Sequence, residues 1–326
     1  MTFFAAPPWT LGSEAGHRLS SHQAGRWVRR AGVAAVASLI IVRVVDPTFI
    51  DRWAGAMAVG GILIGIPHGA VDHLVPFWAS RRRVTPAALA GVLTRYLAVM
   101  AAAVACTLMF PLITVWAFLG ASAWHFGRGE VAVAAHLAQR PLRRPRQDLL
   151  PALAHGGVTV GLPLAAWSDM SLPVLDRLAP GFAATPRPVI PAVLAAVTVL
   201  VPAACTTLLR RRRAGEAGEL VLLAVLFTFV PPLAAFGVYF GLWHATRHML
   251  RLVNLPGRDG GVDVRAGTVR YLYGAAIPTL ASGGLLFALW RNCGSSILVA
   301  ELALLIGLTA PHVKVVTALD RQAASR

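Results

Sequence analysis

The chain has 326 residues, of which 56 % are hydrophobic and only 13 % charged, with a mean hydropathy of +0.65. That charged share is about half that of a soluble domain, so a water-soluble globular fold is excluded. The net charge of +16 comes from 29 Arg and one Lys against 14 acids, and the arginines fall in short clusters between apolar runs rather than in a patch suited to nucleic acid.

Residues 1–27 hold His17 and His22 and no apolar core of signal-peptide type, so a cytoplasmic segment without a cleaved leader is expected. Long apolar runs then recur from residue 31 almost to the end, without the alternating polarity of a membrane barrel. Spans are expected at roughly 28–45, 53–79, 87–109, 111–127, 149–167, 188–209, 218–231, 233–252, 268–290 and 295–317. The fold class is therefore all-α, a polytopic integral membrane bundle of about eight to ten segments, with 28–318 as one transmembrane domain and 319–326 as a tail. Arg18, Arg26, Arg29 and Arg30 precede the first span. The later clusters are Arg81–Arg83, then Arg140, Arg143, Arg144 and Arg146, then Arg210–Arg213, each two spans after the last. That alternation puts the N-terminus in the cytoplasm of a cell-membrane protein. Cys106, Cys205 and Cys293 stand alone, with no CxxC, and read as small buried hydrophobes.

Pro231–Pro232 interrupts the stretch 218–252. Paired prolines remove two backbone donors, so either a kink or a hairpin is expected there. The first arm is short for a crossing, about 14 residues or roughly 21 Å. The histidines favour the hairpin. His68, His125, His155, His244, His248 and His312 all fall in the cytoplasmic half of the membrane only if the chain turns back at the prolines.

Ionisable groups at membrane depth cost about 2.5–3.5 kcal/mol when charged and mark functional sites. In "WHATRH", His244 and His248 are four apart and share a helix face, so both rings can reach one metal. Ala245 stands where a zinc protease would have its Glu, which argues against peptide hydrolysis. His68 and Asp72 share a face by the same spacing, with His73 rotated about 140° away. Asp72 is expected to orient an imidazole or to pair with His68 itself, and Gly65, Gly69 and Ala70 to admit a neighbouring helix. Four neutral imidazoles, His68, His125, His244 and His248, suit Fe(II), Zn or Cu without carrying charge into the bilayer. His312 is open between ligand, support for a ligand and interfacial residue beside Lys314. Glu130 is either a support for a ligand or a cap at the membrane interface, His73 and His155 are read as structural, and His136 as a surface residue. Glu301, in the other half of the bilayer, has no assigned role. Phe236, Tyr239, Phe240 and Trp243 run at helical spacing up to His244, and Trp124 and Phe126 flank His125. Such a stripe packs helices or walls a tunnel for a flat apolar substrate.

Together "GIPHGAVDH", "SAWHFG", "YFGLWHATRH" and the late "PH" resemble the Brp/Blh family of bacterial and archaeal β-carotene 15,15'-dioxygenases, over residues 65 to 312. The resemblance implies an all-helical membrane iron enzyme that uses O2 to split the central double bond of β-carotene into two retinals, typically supplying a microbial rhodopsin. By motif it implies His68, His125, His244 and His248 as the Fe(II) ligands, the same four chosen from depth and face. Two rival classes remain open at the level of sequence. A di-iron desaturase or hydroxylase needs about eight His in HxxxH and HxxHH clusters, and here there is one HxxxH. A transporter or proton relay would thread the same His and Asp72, and no convincing internal repeat supports it.

Overall fold

The structure is a computed structural model that describes residues 21–184, 189–257, 260–293 and 297–325. The expectations for His17, Arg18 and the Glu301 side chain lie outside the described residues. Among those described, every regular element is helical. The first five helices are α1 (Ser21–Val45), α2 (Pro47–Ala70), α3 (Val75–Ser80), α4 (Pro86–Met109) and α5 (Pro111–Leu137). There follow α6 (Leu149–Gly156), α7 (Leu162–Ala165), α8 (Ser168–Leu178), α9 (Val189–Arg210) and α10 (Ala214–Phe229). The last four are α11 (Pro232–Val238), α12 (Thr246–Val253), α13 (Val264–Cys293) and α14 (Ile297–Ala324). Wider turns with i→i+5 bonding join α6 to α7 (Gly157–Gly161) and α11 to α12 (Tyr239–Ala245).

The local starts are written in the chain. Pro47, Pro86, Pro111 and Pro232 open their helices at positions that need no backbone donor. Asp46 caps α2 by accepting from the Phe49 amide at 3.0 Å, and Thr85 caps α4 by accepting from the Ala88 amide at 3.3 Å. Large apolar side chains cover the outside: Leu108 is 79 % exposed and Ile277 79 % exposed. None of the apolar window of α4 is buried in the protein, which is how a helix facing lipid reads. This chain is a multi-pass membrane protein. Cys106 shares the lipid-facing exposure of α4, and Cys205 is only partly buried, so neither is the core residue that composition suggests.

Five described helices are long and apolar enough to cross a bilayer: Pro47–Ala70, Pro86–Met109, Val189–Arg210, Val264–Ala288 and Ala303–Ala324. The pair Pro145–Ala165 and Ser168–Leu178, bent by 90°, adds a sixth if it is one span. Two of the other expected segments are short or carry polar groups turned inward. α10 has 16 residues, and α5 runs ten residues past the expected end at 127, with Arg128 and Glu130 buried on the way. The expected span 53–79 breaks into α2 and α3 at residues 71–74, and α14 continues helically through the expected tail to Ala324.

The Pro231–Pro232 break is a hairpin. Arg247 Nη1 donates to Glu219 Oε2 at 2.8 Å although the two are 28 residues apart; a continuous helix would separate them by about 42 Å. The rings of Phe227 and Tyr239 also meet, at 5.4 Å. The returning arm packs directly on α2, where Gly61 faces Gly237 backbone to backbone. A Cβ on Gly61 would stand 2.1 Å from the Gly237 carbonyl oxygen. Gly65 likewise receives the ring of Phe240, as the close approach expected there requires. Gly61→Leu is therefore expected to part the two helices at a cost of about 3 kcal/mol or more. Size-exclusion of detergent-extracted protein checks it: Gly61→Leu should aggregate, while Gly60→Leu, whose Cβ meets nothing within 4 Å, should elute as wild type.

Candidate metal centre

Four helices and the wide turn bring histidines to one point. His68 ends α2 just after Pro67, whose carbonyl accepts a hydrogen bond from the Tyr271 hydroxyl of α13. His68 Nδ1 lies 2.5 Å from the Gly65 carbonyl oxygen. A carbonyl can only accept, so Nδ1 carries the proton and Nε2 keeps its lone pair. His125 comes from α5, His244 from the wide turn, His248 from α12 and His312 from α14. All five are buried, none more than 8 % exposed.

Ring nitrogens of His68, His125 and His244 lie within 4.8 Å of one another. His248 joins them, its ring 5.8 Å from that of His68 and parallel to that of His244 at 6.4 Å. The ring of His312, left open by the sequence, lies beside the three, 4.8 Å from that of His68 and 4.9 Å from that of His125 between centroids. His244 Nδ1 and Nε2, His248 Nε2 and His312 Nε2 are buried without a hydrogen-bond partner. Each such nitrogen costs about 1–3 kcal/mol if nothing satisfies it. A cation held by several lone pairs satisfies them together, so the donor set fits a metal that imidazole prefers.

The wide turn aligns the cluster. Four residues of α-helix turn through about 400°, so positions four apart drift by about 40° per step. A turn with i→i+5 bonds holds more residues and unwinds that drift. Phe236, Phe240, His244 and His248 consequently form one ladder of rings: Phe236 and Phe240 stack at 5.3 Å, and Phe240 and His244 at 6.4 Å. Phe126 closes on His244 from α5 at 4.8 Å.

The neighbouring face of the same segment is polar. Tyr239 Oη donates to Glu130 Oε1 at 3.0 Å, and Trp243 Nε1 to Glu130 Oε2 at 2.9 Å. Both aromatics are fully buried, with their polar ends turned to this carboxylate. His244 Nδ1 is 3.6 Å from Glu130 Oε1 and Arg247 Nη1 is 3.8 Å from Oε2. The Arg247 guanidinium also lies 3.5 Å over the Trp243 ring, and Arg29 binds Glu219 at 2.5 Å. Two acids and two arginines thus balance behind His244. Glu130 stands in the core, so the interface-cap alternative falls away. Trp124, 37 % exposed, stands on the outer face away from the ladder.

Asp72 is not on the helical face shared with His68, because α2 stops at Ala70 and residues 71–74 form a turn. From there it reaches His312 Nδ1 at 2.9 and 3.1 Å, and Tyr96 Oη donates to its Oδ2 at 3.3 Å. His73 is half-buried outside the cluster, and His155 is buried on α6. His136, expected at the surface, is half-buried and bonded through Nε2 to Asn254 Nδ2 at 3.0 Å. Tyr96, Tyr271, Glu219 and Arg247 escaped the sequence reading; only Arg247 left a trace, four residues after Trp243 and eight after Tyr239.

A family profile described as beta-carotene 15,15'-dioxygenase matches residues 59–320. The chain belongs to the β-carotene 15,15'-dioxygenase family. All five clustered histidines of this family member lie inside the matched stretch. It is 31 % identical over 318 residues to the probable beta-carotene 15,15'-dioxygenase Blh of Halobacterium salinarum, covering 88 % of this chain and 90 % of that one. It is 28 % identical to the beta-carotene 15,15'-dioxygenase of the uncultured marine bacterium 66A03, over 81 % of this chain and 93 % of the relative. A shorter match, 29 % identical over 61 % of this chain, is to the probable beta-carotene 15,15'-dioxygenase Brp of Halobacterium salinarum. No solved structure matches this dioxygenase-family chain.

Proposed function

We propose that this protein is a membrane-embedded non-heme iron dioxygenase that splits β-carotene at its central 15,15' double bond with O2, giving two molecules of retinal. The observation that carries it is the buried knot of imidazoles around His68, His125 and His244, with ring nitrogens of His244, His248 and His312 lacking any hydrogen-bond partner, in a chain of this family. His68, His125, His244 and His248 would hold Fe(II) as neutral ligands, so the site carries no histidine charge into the bilayer. When bound, Fe(II) supplies the one-electron chemistry that ground-state O2 requires.

Every other part of the task falls to the chain. The net reaction breaks one C=C bond and forms two C=O bonds from one O2, so atoms and electrons balance without an added reductant, acid or base. Glu130 and Asp72 accordingly orient imidazoles and need not transfer protons. Phe126, Phe236 and Phe240 wall the histidine ladder with apolar faces, which excludes water and suits a flat polyene. β-Carotene enters from the lipid and retinal leaves to it, for use by a microbial rhodopsin. Residues 28–318 would act as one catalytic domain in the cell membrane, with residues 1–27 in the cytoplasm, as the arginine clusters at Arg26–Arg30, Arg140–Arg146 and Arg210–Arg213 support.

The test is expression in a β-carotene-accumulating bacterial host, followed by extraction and chromatography of the pigments. Retinal should appear as β-carotene declines. Apocarotenals of other lengths would contradict central cleavage, and no product from well-inserted protein would overturn the assignment.

A further inference from the structure

We infer that His312 is a fifth imidazole ligand of the same centre, and that Asp72 and Tyr96 are the positioning residues that aim it. This rests on the iron site proposed above.

The first observation is tautomeric. A carboxylate only accepts hydrogen bonds, and His312 Nδ1 lies within 2.9 and 3.1 Å of the two Asp72 oxygens. Nδ1 is therefore the protonated nitrogen, and the Nε2 lone pair is free. That Nε2 is buried and has no hydrogen-bond partner. The second observation is position. The His312 ring is closer to His68 (4.8 Å) and to His125 (4.9 Å) than either is to His244 (5.7 and 5.4 Å). A ring so placed borders two of the proposed ligands directly, within reach of the same centre.

The third observation is charge. Asp72 is 2 % exposed, and its one ion-pair partner among the described residues is His312. The contrast with Glu130 is direct, since Glu130 has Arg247 at 3.8 Å. A buried carboxylate without a cationic partner is costly. Asp72 has only an imidazole N–H and the Tyr96 hydroxyl, the latter from α4 at 3.3 Å. A cation on the far nitrogen of His312 completes the arrangement, as in carboxylate–histidine–metal triads, where the carboxylate fixes the ring and raises its basicity. Three elements far apart in sequence, the turn after α2, α4 and α14, converge on this one ring.

The experiment uses purified full-length protein in detergent, stripped of metal and titrated with Co(II) against a chromogenic chelator, with the visible Co(II) spectrum recorded. Asp72→Asn, nearly isosteric, should weaken Co(II) binding about 10–100-fold and shift the spectrum. His312→Ala should weaken it further and change the spectrum more. Tyr96→Phe should have a smaller effect in the same direction, and Asp72→Glu should recover part of the loss. His73→Ala, one residue from Asp72 but outside the cluster, should match wild type. Should His312→Ala fail to fold, Asp72→Asn and its spectrum decide alone. Wild-type affinity and spectrum in Asp72→Asn and His312→Ala, alongside lost binding in His244→Ala, would overturn the fifth-ligand assignment and leave the iron reading intact. Absence of Co(II) and Fe(II) binding by the wild type itself would overturn both.

Discussion

Replacing His244 by alanine is expected to remove iron and carotene cleavage together, with iron content falling below about a tenth of wild type. The His244 ring lies against three of the other four histidines of the cluster. It is 5.7 Å from His68, 5.4 Å from His125 and parallel to His248 at 6.4 Å, and both of its nitrogens are buried without partners. Its ring stacks on Phe240, and the Glu130 carboxylate stands 3.6 Å from Nδ1. Removing this buried ring opens a cavity, which costs about 2–5 kcal/mol in a core, partly offset because two unsatisfied nitrogens leave with it. The measurement is metal analysis of purified variant and wild type, with retinal yield from the same cells. His155→Ala, on a buried histidine of α6 outside the cluster, should keep its iron. Iron retained in His244→Ala would remove this residue from the site.

Glu130→Ala should instead act on the fold. Its carboxylate accepts from Tyr239 and Trp243 and faces Arg247, and all of these are buried. Deleting it strands two donors and leaves Arg247 with Glu219 as its sole counter-charge, at 2.8 Å. Loss of one partner from a buried charge pair costs about 3–5 kcal/mol. Glu130→Gln is milder, about 1–3 kcal/mol, because its single carbonyl oxygen can serve one donor while its amide opposes the other. Thermal unfolding in detergent should rank wild type above Glu130→Gln above Glu130→Ala. A Glu130→Ala variant that melts with wild type would show that the Tyr239–Trp243–Arg247 face is anchored elsewhere.

Much of this was legible in the chain. Two histidines four apart at the end of an apolar run demanded a shared partner, and a shared site demanded the hairpin at Pro231–Pro232, which the Arg247–Glu219 contact bears out. The spacing of Phe236, Phe240, His244 and His248 carried a further signal that went unread. Positions at intervals of four drift by about 40° per step on an ideal α-helix, and the wide turn is what keeps these four rings in line. The continuation of α5 was hidden because Arg128 and Glu130 look like the end of a span; nothing local shows that Glu130 is satisfied from a helix more than a hundred residues away. Asp72 misled in the same manner. Spacing tied it to His68, and the turn at residues 71–74 gave it to His312 on the last helix.

The most direct test of the central claim is reconstitution. Purified protein, stripped of metal and mixed with β-carotene in detergent under air, should make no retinal. Returning Fe(II) should restore cleavage in proportion to iron bound, saturating near one iron per chain. Retinal formed at full rate by metal-free protein, or saturation without any bound iron, would contradict the histidine cluster as the seat of the reaction.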